Sequence, residues 1–287
     1  MQTLSKRIED IILQHDKRGM RQVRGALFPG YCYRAARMIL DNRGVVLIGT
    51  GFPVSGSFET DGPIGAIALY RVLTELNCKP VLVCAPPISK ILARNFMTYE
   101  LPLADWEKSK PLTIQALKKL EPSIVVSIER PGVTGDGCYY NMRKMDITRL
   151  TAKFDLFFQE SKCPSIAFGD GGNEIGMGNV RDAVATLDII PAITTCDELV
   201  IASVSNWGVY GVIAALCRLL NKNLFQVFDP KTIADYLVDN GCVDGVTTRQ
   251  ESSEDGFPIS VGLGIIDQLR DLVFKYEPKE ASDEEDL

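Results

Sequence analysis

The chain has 287 residues, 46% of them hydrophobic and 24% charged, so it can form one large α/β domain or two small ones with a sizeable core. The formal net charge of −6 argues against a nucleic-acid partner, because phosphate binding requires a basic surface. The longest apolar runs, such as residues 44–49, are too short to cross a bilayer, so we expect no membrane partner.

The first sixteen residues mix acidic and basic side chains and lack the apolar stretch of a secretory signal. We interpret residues 1–19 as an N-terminal helical extension, residues 20–276 as an α/β domain and residues 277–287 as an acidic disordered tail. The expected location is the cytoplasm. A mitochondrial location is expected only for a eukaryotic protein whose targeting segment is not visible in this sequence.

Eight scattered cysteines form no C-x-x-C pair, and the chain has a single histidine, His15. A zinc site of the Cys/His type therefore has almost no ligands to draw on. Several cysteines lie in apolar runs, where a thiol behaves as a small core residue. This usage is typical of a reducing compartment.

Short runs rich in valine, isoleucine and leucine alternate with longer helical patterns. The runs predict strands over residues 44–49, 80–84, 123–128, 165–168 and 199–204. Their almost continuous apolar content is typical of strands that are buried on both faces. The alternation predicts a single domain of the α/β class, with a Rossmann-like, mostly parallel sheet and helices on both faces.

The helical patterns have recognisable starts and ends. Asp61-Gly62-Pro63 predicts the beginning of a helix over residues 64–76, with Asp61 as its N-cap. Further helices are predicted over residues 111–120, 208–221, 232–240 and 264–276. The polar segment 245–258 is interpreted as a mobile excursion.

Glycine and small polar residues follow four of the predicted strands, in segments 49–62, 129–143, 169–179 and 205–208. Ligands of open α/β sheets bind outside the carboxyl ends of the strands, where parallel strands bring such segments together. Glycine also lets backbone N–H groups approach a ligand. We therefore expect one glycine-rich pocket. No nucleotide cofactor is expected, because the first loop has neither a G-x-G-x-x-G nor a G-K-[ST] pattern.

Six carboxylates in these segments could be surface charges, helix caps or ligands: Glu59, Asp61, Glu129, Asp136, Asp170 and Glu174. Glu129 and Asp170 follow strands that should be buried, and an ionised carboxylate there needs a cation or several hydrogen bonds. Arg130 is one candidate partner, and a divalent metal shared by several acids is another. Oxygen ligands suit Mg²⁺ or Mn²⁺. The expected metal ligands are Asp61, Glu129, Asp170 and Glu174.

The residues around these acids are candidates for substrate binding. Ser205 and Asn206 lie where helix N–H groups could bind a carboxylate or phosphate oxygen. Ser205 is not expected to be a nucleophile, because the single histidine lies in the N-terminal extension. The full predicted set is Gly51, Glu59, Asp61, Arg130, Asp136, Arg143, Gly171, Gly172, Asn173, Ser205 and Asn206.

Three segments together resemble one family. Residues 49–63, Ser127-Ile128-Glu129-Arg130-Pro131-Gly132, and the long run Gly169-Asp170-Gly171-Gly172-Asn173-Glu174-Ile175-Gly176-Met177-Gly178 are similar to the C-terminal domain of D-glutamate cyclases. The likeness spans roughly residues 20–275. It implies a hydro-lyase that converts D-glutamate to 5-oxo-D-proline. Animal members are mitochondrial and carry a further hydro-lyase-like N-terminal domain, for which we expect no room in this chain.

The resemblance also implies an amino-dicarboxylate substrate and catalytic roles for Glu129, Asp170 and Glu174. Glu129 or Asp170 would take the ammonium proton. A metal, or the N–H groups of Gly171 and Gly172, would stabilise the oxyanion, and Arg130 or Arg143 would pair with the α-carboxylate. Two alternatives stay open: a Mg²⁺- or Mn²⁺-dependent enzyme acting on a phosphorylated small molecule, and a non-catalytic ligand-binding or scaffold protein. A homo-oligomer also stays open.

Overall fold

The computed structural model describes residues 2–275, so the predicted acidic tail lies outside the described residues. The strands are β1 (Val45–Thr50), β2 (Pro53–Val54), β3 (Ser57–Phe58), β4 (Lys79–Cys84), β5 (Thr98–Glu100), β6 (Ile124–Ile128), β7 (Ser165–Gly169), β8 (Glu198–Ile201), β9 (Ser253–Glu254) and β10 (Phe257–Pro258). The helices are α1 (Gln2–Ile12), α2 (Met20–Val23), α3 (Tyr31–Asp41), α4 (Pro63–Glu75), α5 (Ile88–Leu92), α6 (Trp106–Leu120), α7 (Asp155–Glu160), α8 (Arg181–Val184), α9 (Ser205–Leu220), α10 (Pro230–Asp239) and α11 (Ile259–Lys275). None of these helices is both long and apolar enough to cross a membrane.

Six strands form one parallel sheet in the order β5-β4-β1-β6-β7-β8. Counted along the chain, these six strands have the order 3-2-1-4-5-6 that is typical of Rossmann folds. The order reverses between β1 and β6, where a crevice opens at the carboxyl ends of the strands. The predicted Rossmann-like parallel sheet is confirmed.

Side chains of the central strands alternate between two cores. Val46 and Ile48 of β1 belong to the larger core, which α1, α3, α4 and α9 cover. Leu47 lies between them in sequence and packs in a second core with residues of α6 and α7. Helices therefore cover both faces, as the apolar strands predicted.

The structure differs from the sequence-based prediction at several element ends. Strand β5 was missed, because Thr98, Tyr99 and Glu100 form no apolar run. Helix α6 begins at Trp106 rather than at residue 111, because the side chain of Asp105 caps it by accepting the N–H of Lys108. Helices α9, α10 and α11 also begin two to five residues earlier than predicted.

Two segments that we interpreted as peripheral pack against the body of the protein. Helix α1 buries Leu4, Ile8 and Ile12, and it contacts α3, α9 and α11. The interpretation of residues 245–258 as a mobile excursion was wrong, because the segment contains the β9–β10 hairpin with Glu254 buried. The division of the chain at residues 19 and 276 stays a prediction.

Candidate active site

The segments after β1, β6 and β7 meet the start of α9 at the crevice between β1 and β6. Eight carboxylates gather there, each at most 5% exposed: Glu59, Asp61, Glu129, Asp170, Glu174, Asp244, Glu254 and Asp255. We call this set the acidic cluster. One oxygen from each of Asp61, Glu129 and Asp170 lies within 4.8 Å of the other two. The structure thus brings together three of the four residues predicted as metal ligands.

Asp61 and Asn206 exchange caps between two neighbouring helices. The Asp61 carboxylate accepts the backbone N–H groups of Ser205 at 2.9 Å and Asn206 at 2.8 Å, at the start of α9. In return, Asn206 Oδ1 accepts the N–H groups of Gly62 at 2.9 Å and Gly65 at 2.7 Å, at the start of α4. The prediction that Asp61 caps α4 was therefore wrong. Two helix N-termini now direct their positive dipole ends towards the acidic cluster.

Glu129 follows β6 directly and has an unusual backbone conformation. Its φ of 44° lies in the left-handed region, which residues other than glycine rarely adopt. The hydroxyl of Ser205 donates to Glu129 Oε2 at 2.6 Å. Gly62 lies opposite with φ of +87°, and a Cβ there would be 2.8 Å from the Glu129 Cβ. A glycine is therefore required where the two loops cross.

The loop after β7 holds Glu174 through its backbone. The N–H of Gly172 donates to Glu174 Oε2 at 2.7 Å. Of the Gly171 and Gly172 N–H groups that we predicted to stabilise an oxyanion, that of Gly172 is thus already engaged. Within residues 2–275, Glu174 Oε1 and Asp170 Oδ2 are buried without a hydrogen-bond partner. Such unsatisfied acceptors are rare in protein interiors and fit a cation ligand.

Arg18 supplies a positive charge that the sequence analysis did not anticipate. It lies between α1 and α2, with Nη1 2.5 Å from Asp170 Oδ1 and Nη2 2.7 Å from Asp255 Oδ2. No other lysine or arginine among residues 2–275 forms an ion pair with the acidic cluster. No local pattern distinguishes Arg18 from the other basic residues near the N-terminus, so sequence reasoning had no signal to use.

Burial makes the cluster costly to ionise. It is the largest cause of a raised pKa in Glu59, Asp61, Glu129, Asp170 and Glu174. Burial also raises the pKa of Glu254 to about 7, although Trp207 Nε1 and Asn206 Nδ2 donate to it at 2.7 and 2.8 Å. For Arg18, burial favours the neutral form, but Asp170 and Asp255 outweigh it and raise the pKa. The cluster therefore favours binding protons or a cation.

A cavity of about 310 Å³ opens above the acidic cluster, a size typical of small-molecule sites. Its polar lining includes Arg18, Glu59, Glu129, Arg143 and Asn173. Its apolar lining includes Phe52, Met142 and Ile147. Glu129 thus belongs both to the cavity wall and to the group of three carboxylates.

Other predicted site residues lie elsewhere. The Arg130 guanidinium donates to the carbonyl oxygens of Thr50, Gly51 and Ala152 at 3.2, 3.0 and 2.7 Å, so it joins strand ends and forms no ion pair with Glu129. Gly51 contributes one of these carbonyls and has φ of +97°. Asp136 is exposed and accepts hydrogen bonds within its own loop. The structure does not bring Arg130 or Asp136 to the acidic cluster.

Arg143 and Asn173 lie at the cavity. Arg143 is exposed and donates to the carbonyl oxygen of Val246 at 3.1 Å. Asn173 Nδ2 donates to the carbonyl oxygen of Tyr140 at 3.0 Å. Both side chains thus bind other loops while they line the cavity.

Glu254 and Asp255 were missed because segment 245–258 was interpreted as mobile, and Asp244, which directly precedes that segment, was not singled out. Asp244 accepts Ser253 Oγ at 2.7 Å and the N–H of Gly256 at 2.8 Å, which fixes the β9–β10 hairpin. The sequence held a signal: Asp255-Gly256 is a preferred pair for a two-residue hairpin turn, and both residues have positive φ.

Comparison with known proteins relates the chain to one family. The model of the family described as D-glutamate cyclase-like, C-terminal, matches residues 8–270. The human protein named D-glutamate cyclase, mitochondrial, is 35% identical across an alignment that covers 63% of this chain and 34% of that protein. The chain therefore spans about a third of the length of this relative. The family model matches most of the chain, and the matched range includes Arg18 and the whole acidic cluster. We therefore conclude that this chain belongs to the D-glutamate cyclase-like C-terminal family.

Proposed function

We propose that this chain is a D-glutamate cyclase-like hydro-lyase that converts D-glutamate to 5-oxo-D-proline with loss of water. The observation that carries the proposal is the acidic cluster beneath a cavity lined by both carboxylates and guanidinium groups. An amino-dicarboxylate has one ammonium and two carboxylate groups, which complement this lining. Membership of the family supports the same substrate class.

We further propose that Asp61, Glu129 and Asp170 hold Mg²⁺ or Mn²⁺. The residues fit such an ion, because their oxygens lie within 4.8 Å of one another and Asp170 Oδ2 has no hydrogen-bond partner among residues 2–275. When bound, the ion would polarise the γ-carboxyl group towards attack. Glu174 lies beside this group and would support it as a further acceptor.

The ring closure requires an α-amino group without its extra proton, held against the γ-carbon. Glu59 is suited to take that proton. Its carboxylate lines the cavity, it accepts no hydrogen bond from residues 2–275, and burial raises its pKa. Glu59 would then return the proton to the departing oxygen. The second N–H proton follows the same route, so the oxygen leaves as water.

Arg143 is the proposed partner of the substrate α-carboxylate. It is exposed and lines the cavity, and its guanidinium can present parallel N–H donors to a carboxylate. A substrate anchored there would direct its amine and γ-carboxyl group towards Glu59 and Glu129. In this arrangement Arg143 binds the substrate, and the buried residues Glu59 and Glu129 act on its reacting groups.

A phosphorylated substrate is less well supported. The helix N–H groups of Ser205 and Asn206 donate to Asp61, and the N–H of Gly172 donates to Glu174. The backbone donors that would bind a phosphate are thus engaged. We therefore favour the cyclase over the phosphate-dependent enzyme.

The test is turnover by the purified protein. D-glutamate, L-glutamate and a panel of phosphate esters are incubated with and without Mn²⁺, and the products are separated by chiral chromatography. We expect 5-oxo-D-proline from D-glutamate. Glu59→Gln and Glu129→Gln should reduce kcat by roughly 10²- to 10⁴-fold. Glu107→Gln, which changes an exposed acid on α6, should have no effect. Release of phosphate without cyclisation would support the phosphate-dependent alternative, and no turnover of any substrate would support a ligand-binding or scaffold role.

A further inference from the structure

Arg18 and the proposed metal site share one ligand. Asp170 belongs to the group of three carboxylates whose oxygens lie within 4.8 Å of one another. The same Asp170 accepts the guanidinium of Arg18 at 2.5 Å, and the other arm of the guanidinium lies 2.7 Å from Asp255. A divalent cation and Arg18 would therefore contact the same carboxylate.

The backbone around Arg18 is held in place by Asp16. The Asp16 side chain accepts the N–H groups of Arg18 and Gly19 at 3.1 and 2.9 Å, and those of the next two residues at 3.1 and 2.9 Å. Gly19 has φ of +86°, and a Cβ there would be 2.7 Å from Leu187 Cδ2. The guanidinium thus enters the acidic cluster from a fixed point on the chain.

The cluster has far more negative than positive groups. The acidic cluster has eight buried carboxylates, Arg18 pairs with two of them, and Asp170 Oδ2 stays without a hydrogen-bond partner among the described residues. A buried carboxylate that loses its cation is strongly destabilising, so Arg18 stabilises the fold before any metal binds. A divalent ion in the same place would be repelled by the guanidinium at short range.

We infer that Arg18 is a tethered cation that occupies Asp170 in the metal-free protein and sets the affinity of the acidic cluster for a divalent ion. This inference rests on the proposed function, because it takes Asp61, Glu129 and Asp170 as the metal ligands. Arg18 is a positioning residue in this role, since it acts through Asp170. The guanidinium of Arg18 and the divalent ion then share the carboxylate of Asp170, and the guanidinium lowers the affinity of the site for the ion.

The experiment measures Mn²⁺ binding to the full chain by titration calorimetry and by the electron paramagnetic resonance signal of free Mn²⁺. Arg18→Met keeps much of the side-chain volume and removes the charge. We expect it to bind Mn²⁺ at least about tenfold more tightly than the wild type. Arg37→Met, which removes an exposed arginine on α3, should bind like the wild type.

Unfolding in urea provides a second readout. With a chelator present, Arg18→Met should unfold at lower urea than the wild type, and Mn²⁺ should restore more stability to the variant than to the wild type. Arg18→Lys keeps the positive charge and is the variant to use if Arg18→Met does not fold. Because a single ammonium on a shorter reach cannot bridge both carboxylates as the fork does, its Mn²⁺ affinity should lie above that of the wild type.

Equal or weaker Mn²⁺ binding by the folded Arg18 variant, or no detectable binding by either protein, overturns the inference. Failure of the proposed function has a separate signature, because it appears as no conversion of D-glutamate by the wild type. A wild type that cyclises D-glutamate and an Arg18 variant with unchanged Mn²⁺ affinity would retain the function and discard the role of Arg18.

Discussion

Replacing Asp61 by alanine should destabilise the protein by removing the acceptor at the start of α9. Two backbone N–H groups, those of Ser205 and Asn206, lose their acceptor at 2.9 and 2.8 Å, whereas the N–H of Gly62 keeps Asn206 Oδ1 at 2.9 Å. Loss of an N-cap costs about 1 kcal/mol, and a buried donor left unsatisfied costs about 1 to 3 kcal/mol. Burial and nearby Asp255 raise the pKa of Asp61, so removing its charge also relieves repulsion. We expect a net loss of about 2 to 4 kcal/mol.

Urea unfolding of the metal-free protein, followed by circular dichroism, measures this effect. Asp61→Asn should lose less, because its amide oxygen can still accept one N–H. Asp105→Ala is the matched control. It removes the N-cap of α6, which is exposed, accepts the backbone N–H of Lys108 and lies 3.1 Å from the Lys108 ammonium, and it should lose less than Asp61→Ala because both partners remain in solvent. An Asp61→Ala protein as stable as the wild type would refute the reasoning. The stability gained from reduced charge repulsion would then equal the stability lost with the hydrogen bonds to the start of α9.

The pH should change the stability of the metal-free protein, because folded Glu254 has a pKa of about 7 against 4.5 for an ordinary glutamate. Its contribution is fully present below pH 4.5 and is lost as the pH rises through about 7, by at most about 3 kcal/mol. Glu254→Gln should flatten the plot of urea midpoint against pH over that window, and an unchanged slope would contradict the assignment. Excess Mn²⁺ at pH 8 should raise the urea midpoint of the wild type and not that of Asp170→Asn; equal shifts would exclude Asp170 as a ligand. Gly245→Ala places a Cβ 2.0 Å from Glu59 Oε2, so kcat for D-glutamate should fall at least about tenfold. Gly264→Ala is its control, because no described atom beyond its neighbours lies within 4 Å, and equal kcat values for both variants would argue against the role of Glu59.

Local patterns were sufficient to predict the central sheet. The valine- and isoleucine-rich runs became β1, β4, β6, β7 and β8, because continuous apolar runs must be covered on both faces. The loops after these strands met at one crevice, because parallel strands place their carboxyl ends on the same side. Strand β5 was missed because it lies at the edge, where burial imposes no apolar pattern.

The partners of the acids were harder to predict. Arg130 follows Glu129 in the chain, yet its guanidinium bonds carbonyl oxygens, whereas Arg18 reaches the cluster from a position 152 residues before Asp170. Asp61 precedes α4, yet it caps α9, which begins 144 residues later. Contacts of this kind depend on which elements pack side by side, and sequence proximity gives no information about them.

Residue order along each strand and loop thus specified the parallel sheet, its crevice and the glycine-rich, acidic character of the loops there, because these properties follow from short-range patterns of side chains. Packing alone placed Glu254 and Asp255 in the acidic cluster and brought Arg18 into contact with it. The physical reason is that the charge balance of a buried site is a sum over all groups within a few ångströms, whichever part of the chain supplies them.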